Sequence, residues 1–297
     1  MCAARAISSP SHEVLAEGFV FVEAPRCADD GAIYFSDLTG GGLYKRTASG
    51  RIDCVLPDRK WIGGCVLADD GTVLCSGQGG IVRLDETSGR IAVVLSKLDG
   101  QPIDAVNDIE ADDAGGLYGG TIDFTAILTR GEHPQPGVFF RIDPSGHLDV
   151  LREGVIASNG IAFSPDRKVL YHAETTRGVW AWDLDTGGVP RNPVMFAELV
   201  DCDGLAVDAE GGVWVARWQT GEIVRFRTDA TVDFRWRLPF PYVVSLTFAG
   251  EDLQDMIVTT GGEARPGAPL HGAIVSIRTE VPGQASCRAR LKTRGAT

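Results

Sequence analysis

The stretch SNGIAFSPDRKVLY, residues 158–171, contains two apolar segments separated by a turn signal, and the polar residues Ser158-Asn159-Gly160 precede the first of them. From Ile161 onward the pattern predicts a buried strand, a turn and a second strand. The same arrangement returns in CDGLAVDAEGGVWV, residues 202–215, where Asp203-Gly204 leads the apolar run. A polar residue before a single strand would carry little information about the fold. Its return indicates a repeating architecture with polar groups at its axis.

Turn signals of the Asp-Gly kind recur along the whole chain. Their second residues are Gly31, Gly71, Gly115, Arg167, Gly211 and Leu253, and the successive differences are 40, 44, 52, 44 and 42 residues. Strands such as AIYFSD, VLYHAE and GVWVAR follow these turns, and third and fourth strands such as GVFFRI and RIAVVL follow those. A sandwich has no period of this length, and the rungs of a β-helix are shorter. We therefore predict an all-β, six-bladed β-propeller of about four antiparallel strands per blade, with a strand around EVLAEG completing the sixth blade.

The composition limits the function. The chain has 297 residues and a formal net charge of −12, so a non-specific nucleic-acid binder, which needs a basic face, is excluded. We expect one propeller domain over residues 1–297, with about 1–12 and 283–297 peripheral or flexible. The seven cysteines show no C-x-x-C spacing, and no apolar leader or membrane-spanning run is present. These features favour a cytoplasmic protein without a membrane partner, and they leave the oligomeric state open.

One structural position recurs eight residues before each turn. In a propeller, the first strand of each blade lines the central channel, so these residues should meet at one end of the axis. Unpaired buried polar groups cost about 1–3 kcal/mol each, and a hard divalent cation suits carboxylate and amide oxygens. The alternative is that each residue caps a strand start and bonds only to backbone or water. The six residues are Glu23, Gly63, Asn107, Asn159, Asp203 and Ser245.

Four segments carry a resemblance to the senescence marker protein, gluconolactonase and luciferin-regenerating enzyme family of six-bladed propellers. The chain is similar to this family from about Glu17 to about Gly262. The segments are EAPRCADDGAIYFSDLTGGGLYK (23–45), VNDIEADDAGGLYGGT (106–121), SNGIAFSPDRKVLYHAET (158–175) and DCDGLAVDAEGGVWVARWQTGEIVRF (201–226).

The resemblance implies one divalent cation per chain, usually Ca²⁺, with Zn²⁺, Mg²⁺ or Mn²⁺ also possible. It implies that Glu23, Asn159 and Asp203 are metal ligands and that Asp203 is also the general base. Asn107 is then a ligand, directly or through water, or a substrate contact.

The chain departs from the family's pattern at three positions. Ala24 stands where the family commonly has Gly, and Glu174 stands where it often has Asp. Ala105 stands where sugar-lactone members carry Arg, two residues before Asn107. The loss of this Arg bears on the substrate and not on the metal.

The second strand of each blade returns to the metal's face, so the turn after it should line the pocket, although each such residue could be an ordinary rim residue. Trp61 and Phe124 could form an apolar floor. The loops 123–137 and 259–272 could act as lids. We interpret His172 as a buried imidazole and Cys202 as a core thiol. The turn residues are Asp37, Gln78, Asp123, Glu174, Trp218 and Thr260, and the predicted substrate contacts are Asn107, Trp61, Asp123, Phe124, Glu174 and Trp218.

Together these observations predict a metal-dependent lactonase or related esterase acting on a small molecule less hydroxylated than gluconolactone. The cation would polarise the carbonyl group, and Asp203 would take a proton from the attacking water. The chain has no Gly-x-Ser-x-Gly nucleophile elbow. Two alternatives remain: a phosphotriesterase-like hydrolase on the same metal, and a non-catalytic calcium-binding propeller.

Overall fold

The computed structural model describes residues 7–263 and 269–292, and the described chain is almost wholly antiparallel β-sheet. One short helical segment of π type, Thr125–Arg130, lies in the predicted loop 123–137. The middle of the predicted loop 259–272 lies outside the described residues. The strands are β1 (Glu13–Phe19), β2 (Val22–Cys27), β3 (Ile33–Asp37), β4 (Leu43–Arg46), β5 (Ile52–Leu56), β6 (Cys65–Leu67), β7 (Val73–Cys75), β8 (Gly77–Gln78), β9 (Ile81–Asp85), β10 (Arg90–Leu95), β11 (Lys97–Leu98), β12 (Gln101–Pro102), β13 (Ala105–Ala111), β14 (Leu117–Ile122), β15 (Gly137–Ile142), β16 (Leu148–Val155), β17 (Ser158–Phe163), β18 (Val169–Glu174), β19 (Gly178–Leu184), β20 (Pro190–Glu198), β21 (Cys202–Val207), β22 (Val213–Arg217), β23 (Glu222–Phe226), β24 (Val232–Arg237), β25 (Tyr242–Ala249), β26 (Asp255–Gly261) and β27 (Gly272–Arg278).

These strands form the six blades of a β-propeller, which confirms the predicted fold. Blade one is β2–β5, and blade two is β6, β7, β9 and β10. Blades three, four and five are β13–β16, β17–β20 and β21–β24. Blade six combines β25–β27 with the N-terminal strand β1, which pairs with β27 as the sequence predicted. The first strand of the chain therefore closes the ring, and the blade gains its outer strand from the opposite end of the sequence.

Burial decreases from the axis outward within each blade. All but one residue of β2 is buried, and so are all but one of β17 and of β21, because these inner strands face the channel and the neighbouring blades. Outer strands such as β10 and β20 expose much of their surface. Apolar side chains fill the wedges between adjacent blades; for example, Val66 and Leu74 of blade two pack with Ile109, Leu117 and Phe140 of blade three. The inner strands are thus held rigidly, which suits them to position a site.

A β-bulge recurs at one end of the inner strands. The pairing with strand two slips between Val106 and Ile109 in blade three and between Ser158 and Ile161 in blade four. It slips between Cys202 and Leu205 in blade five, and directly after Glu23 in blade one. A bulge inserts an extra residue and re-aims the local side chains. In these four blades it falls on or beside the residue that the turn spacing identified.

The C-terminal residues 283–292 lie across the other end of the channel, although the sequence had suggested a peripheral tail. Gln284 Nε2 donates to the carbonyl oxygens of Phe163 at 3.0 Å and Val207 at 3.1 Å, at the far ends of β17 and β21. Ala289 is buried and pairs with Ala68. Between this segment and the inner strands lies a cavity of about 70 Å³. No helix among the described residues is long and apolar enough to cross a membrane.

Candidate functional site

The four predicted metal ligands lie at the same end of four inner strands and are withdrawn from solvent. Glu23, Asn107, Asn159 and Asp203 are 5%, 3%, 8% and 4% exposed. Asn159 lowers the pKa of Asp203, and the charge of Asp203 raises the pKa of Glu23, so these three residues lie close to one another. The structure therefore brings two carboxylates and two amides of different blades into one buried group around the axis.

The carboxylates of this group repel one another in a region with little water. Burial raises the pKa of Glu23 well above its ordinary value, and the charges of Asp203 and Asp108 raise it further. Burial also raises the pKa of Asp203, with the charge of Asp108 adding to the rise and the neighbouring Asn159 amide opposing it. Burial raises the pKa of Asp108 to about 7, against the attraction of Arg26. A positive charge at this point would relieve all three effects.

The amide of Asn107 is fixed with its oxygen free. Its Nδ2 donates to the Ser158 carbonyl oxygen at 2.8 Å, and that carbonyl can only accept, so the orientation of the amide is determined. Its Oδ1 is buried and has no hydrogen-bond partner. A Cβ atom added at Gly63 would lie only 1.9 Å from this oxygen. Asn107 of blade three thus occupies the space that a side chain in blade two would need, which explains the glycine at that ring position.

The amide of Asn159 is oriented by a threonine. Its Nδ2 donates to Thr175 Oγ1 at 3.1 Å, and the Thr175 hydroxyl donates to the Cys202 carbonyl oxygen at 2.7 Å. The amide nitrogen therefore faces Thr175, and the Asn159 carbonyl oxygen is left available to another ligand.

These donor atoms fit a hard divalent cation. Asn107 Oδ1 and Asp203 Oδ1 are both buried without a hydrogen-bond partner, a state that costs about 1–3 kcal/mol for each group. Carboxylate and amide oxygens are the ligands that Ca²⁺ prefers. In the described part of the chain, no group of three or more His, Cys, Asp or Glu side chains is arranged to hold a metal ion. A cation at this site would therefore depend on the two amides as well as on Glu23 and Asp203.

Ser245 does not share the geometry of the other ring positions. In blade six the register slips directly before Ser245, between Val243 and Ser245, whereas in blades one, three, four and five the slip includes or directly follows the ring residue. A Cβ atom at Gly204 would lie 2.1 Å from Ser245 Oγ, so this hydroxyl packs against blade five.

The turns that follow strand two lie at the same end of the blades as the candidate ligands, as the sequence predicted. Val22 pairs with Asp37, and Ser158 pairs with Glu174. Glu174 is fully buried, where its carboxylate accepts from Ile156 N and Trp180 Nε1 and contacts Arg152 and Arg177. All of its bonding capacity is therefore used within the protein.

Asp123 also has partners of its own. Its Oδ1 accepts from Ala126 N at 2.8 Å, and its Oδ2 accepts from Gln135 N at 3.2 Å. This carboxylate holds the start and the far side of the 123–137 loop together. Its role in the structure is to shape the loop.

The predicted aromatic contacts form an arc along this end of the propeller. The rings of Trp61 and Phe124 lie 6.0 Å apart, beside a cluster that contains Ala105. Phe21 packs against the same cluster and lies 6.2 Å from Tyr242, whose ring is 5.5 Å from Trp218. The structure thus connects Trp61, Phe124 and Trp218 through two aromatic residues that the sequence analysis did not identify.

His172 is buried, in agreement with its interpretation from the sequence as a buried imidazole. Its ring stacks on Phe139 with centroids 3.9 Å apart, and Nε2 shares a hydrogen bond of 2.8 Å with Ser158 Oγ. Burial, with the positive charge of Arg152, lowers the pKa of His172 to about 3. The imidazole is therefore neutral at ordinary pH and supports Ser158, whose carbonyl group orients Asn107.

Two polar residues near the site were missed from the sequence. Asp108 follows Asn107 directly, and its position next to a ring residue was the available signal. Thr175 follows Glu174 directly after strand β18 and was the last residue of a quoted family segment. Neither stands at the recurrent offset from a turn.

Comparison with known proteins agrees with the six-bladed fold. The family model described as the SMP-30/Gluconolactonase/LRE-like region matches residues 15–262. A pentonolactonase from Haloferax volcanii is 31% identical over 82% of this chain and 82% of its own length. A 6-deoxy-6-sulfogluconolactonase from Pseudomonas putida is 28% identical over 84% and 88%. The structure of a calcium-binding protein, regucalcin, from Agrobacterium tumefaciens superposes with a TM-score of 0.84 over 96% of this chain and 99% of that one, at 24% identity. The chain belongs to the SMP-30/gluconolactonase/LRE-like family.

Proposed function

We propose that this protein hydrolyses lactones or closely related esters with the help of one divalent cation, Ca²⁺ being the best fit, held by Glu23, Asn107, Asn159 and Asp203. Membership of the family and the two relatives named as lactonases support the reaction class. The observation that carries the cation is the pair of buried, unpartnered oxygens, Asn107 Oδ1 and Asp203 Oδ1. The six described cysteines are free, which supports a reducing, cytoplasmic location.

The cation, when bound, would polarise the substrate carbonyl and stabilise the negative charge that develops on its oxygen. Asn107 and Asn159 offer neutral oxygens, so the two carboxylates would supply the only negative charges among the four ligands. The Asn107 nitrogen donates to the Ser158 carbonyl oxygen and the Asn159 nitrogen donates to the Thr175 hydroxyl group, which keeps these N–H groups from facing a cation.

Asp203 is the residue best placed to act as general base. Its carboxylate has two oxygens, so one could bind the cation while the other accepts a proton, and burial raises its pKa well above the ordinary range. Asp203 takes a proton from the water as the water oxygen attacks the carbonyl carbon. The ring C–O bond then breaks, and the departing alkoxide takes up the proton. The product is a hydroxy acid, and the Asp203 carboxylate is restored.

We propose further that the substrate is less hydroxylated than gluconolactone. Ala105 is fully buried against Leu38, Ile122 and Phe124 and offers no group to a sugar hydroxyl. Burying an aromatic or aliphatic group of the substrate against the aromatic arc would contribute about 1.5–3 kcal/mol. A site without hydroxyl-binding groups discriminates little in favour of polyols.

Two arginines could in principle replace the missing sugar contact, and both are already paired. Arg217 contacts Asp201 at 2.9 Å and Glu222 at 2.7 Å. Arg130 contacts Glu132 at 2.7 Å. Recruiting either one to a substrate would require breaking these ion pairs, which supports the less hydroxylated substrate.

A lactone panel tests both proposals. Gluconolactone, a pentonolactone, an alkyl-substituted butyrolactone and a phosphotriester are compared by kcat/KM, in Ca²⁺ and in chelator. We expect lactone hydrolysis that chelator abolishes and Ca²⁺ restores, with the alkyl lactone ahead of gluconolactone. The two relatives are named for sugar-derived lactones, which is the competing expectation. If gluconolactone gave the highest kcat/KM, the proposal of a less hydroxylated substrate would be contradicted. If no lactone were hydrolysed by the cation-loaded protein, the reaction itself would be excluded.

A further inference from the structure

Thr175 connects two candidate ligands that belong to different blades. Its hydroxyl group receives a hydrogen bond from the Asn159 amide of blade four at 3.1 Å. It donates one to the carbonyl oxygen of Cys202 in blade five at 2.7 Å, and Cys202 directly precedes Asp203. One side chain thus contacts both Asn159 and the backbone that carries Asp203.

The direction of these two bonds is fixed by the chemistry of the groups. A backbone carbonyl oxygen can only accept, so Thr175 must donate its single hydroxyl hydrogen to Cys202. Thr175 can then only accept from Asn159, and the amide atom that faces it must be the nitrogen. The threonine therefore selects one of the two orientations of the Asn159 amide, the one that leaves the oxygen available.

The two amides of the site differ in how they are held. Asn107 is oriented by a backbone carbonyl, that of Ser158, which no substitution of a side chain removes. Asn159 depends on the side chain of Thr175. Without that hydroxyl group, the amide could rotate and present its NH₂ group, which repels a cation.

We propose that Thr175 is a positioning residue for cation binding, because it fixes the Asn159 amide with its oxygen toward the ligand and ties Asn159 to the Asp203 strand. The proposal rests on the proposed cation site. Residues that orient metal ligands typically change metal affinity by 10–100-fold when they are replaced. Thr175→Val keeps the shape and removes both hydrogen bonds, whereas Thr175→Ser keeps the hydroxyl group.

The control is Thr279→Val. Thr279 is also buried and directly follows the last residue of β27. Its hydroxyl group lies 3.0 Å from the Gln254 carbonyl oxygen and 2.9 Å from the Val281 carbonyl oxygen. Its replacement removes the same kind of hydrogen bond away from the site. We expect this variant to lose stability without losing affinity for the cation.

The experiment is a calorimetric titration of Ca²⁺ into the chelator-treated full-length protein and these three variants. We expect Thr175→Val to bind Ca²⁺ about 10–100-fold more weakly than the wild type, with Thr175→Ser and Thr279→Val close to the wild type. Excess Ca²⁺ should restore most of the turnover of Thr175→Val. Wild-type affinity in a folded Thr175→Val protein, verified by its circular dichroism, would overturn the positioning role. If the wild type itself bound no cation, the proposed cation site would fail, which is a different result.

Discussion

The charge of Asp203 in blade five raises the pKa of Glu23 in blade one, although blades two, three and four separate them along the chain. Both carboxyl groups are buried, and Asp108 adds a third negative charge nearby. In the absence of a cation, the site therefore favours bound protons. A divalent cation would compete with those protons, because both neutralise the same carboxylates.

Cation binding should therefore depend on pH in a defined direction. The folded-state pKa values of Glu23 and Asp203 are raised, so without a cation the folded protein holds protons that the unfolded chain has released above about pH 4. Its stability should then fall as pH rises through that window. We expect the increase in Tm caused by Ca²⁺ to grow from pH 5 to pH 8. If the difference between the Tm in Ca²⁺ and the Tm in chelator stayed constant from pH 5 to pH 8, the coupling would be contradicted.

Asp203→Asn should separate catalysis from binding. The amide keeps the size and an oxygen ligand but cannot accept a proton, and loss of a general base typically reduces the rate by about 10²–10⁴-fold. We expect kcat to fall by this factor in a protein that folds and still takes up Ca²⁺, as calorimetry would verify. Near-normal turnover in the cation-loaded variant would exclude Asp203 as the base.

Gly63→Ala should weaken cation binding from the neighbouring blade. The added Cβ would lie 1.9 Å from Asn107 Oδ1, so the Asn107 side chain would have to rotate away. We expect at least a tenfold loss of Ca²⁺ affinity, as for other changes that displace a ligand. Gly71→Ala is the control for an added methyl group, because no atom lies within 4 Å of its Cβ position, although its φ of +79° adds strain. Equal Ca²⁺ affinities for Gly63→Ala and wild type would show that Asn107 is not a ligand.

His172 should make the fold sensitive to acid. Its folded-state pKa is lowered to about 3, so between the ordinary histidine pKa of about 6.5 and this value only the unfolded chain binds the proton. The stability contributed by the neutral imidazole is complete above that range and declines by about 1.4 kcal/mol per pH unit as pH falls. Urea unfolding of wild type and His172→Gln between pH 4 and pH 7 measures this. The variant should show a shallower acid decline, and identical slopes would refute the assignment.

The fold and the positions of the candidate ligands could be predicted because both follow from local signals. The Asp-Gly turns mark the blade period, and a fixed offset from each turn leads to Glu23, Asn107, Asn159 and Asp203. At Ser245 the same offset leads to the residue directly after the bulge of blade six, and not to a residue within or before it. Register depends on the partner strand, which the offset does not include.

The remaining features depend on contacts between distant parts of the chain. Glu174 has the right position to face a ligand, but Arg152 of β16 and the backbone N–H of Ile156, just after that strand, contact its carboxylate instead. Thr175 matters only because the Cys202 carbonyl group comes within 2.7 Å of its hydroxyl group. The family commonly has Gly at Ala24, and the structure supplies the reason: this residue has a φ of +56°, a conformation that Gly adopts more easily.

The most direct test of the account is a crystal structure of the protein soaked with Mn²⁺, with data collected for anomalous scattering. We predict one strong anomalous peak on the propeller axis, within about 2.0–2.6 Å of oxygen atoms of Glu23, Asn159 and Asp203. Asn107 Oδ1 should lie at that distance or one water molecule away. A fully soaked crystal without a peak at this position, or with these side chains turned toward bulk solvent, would contradict the account.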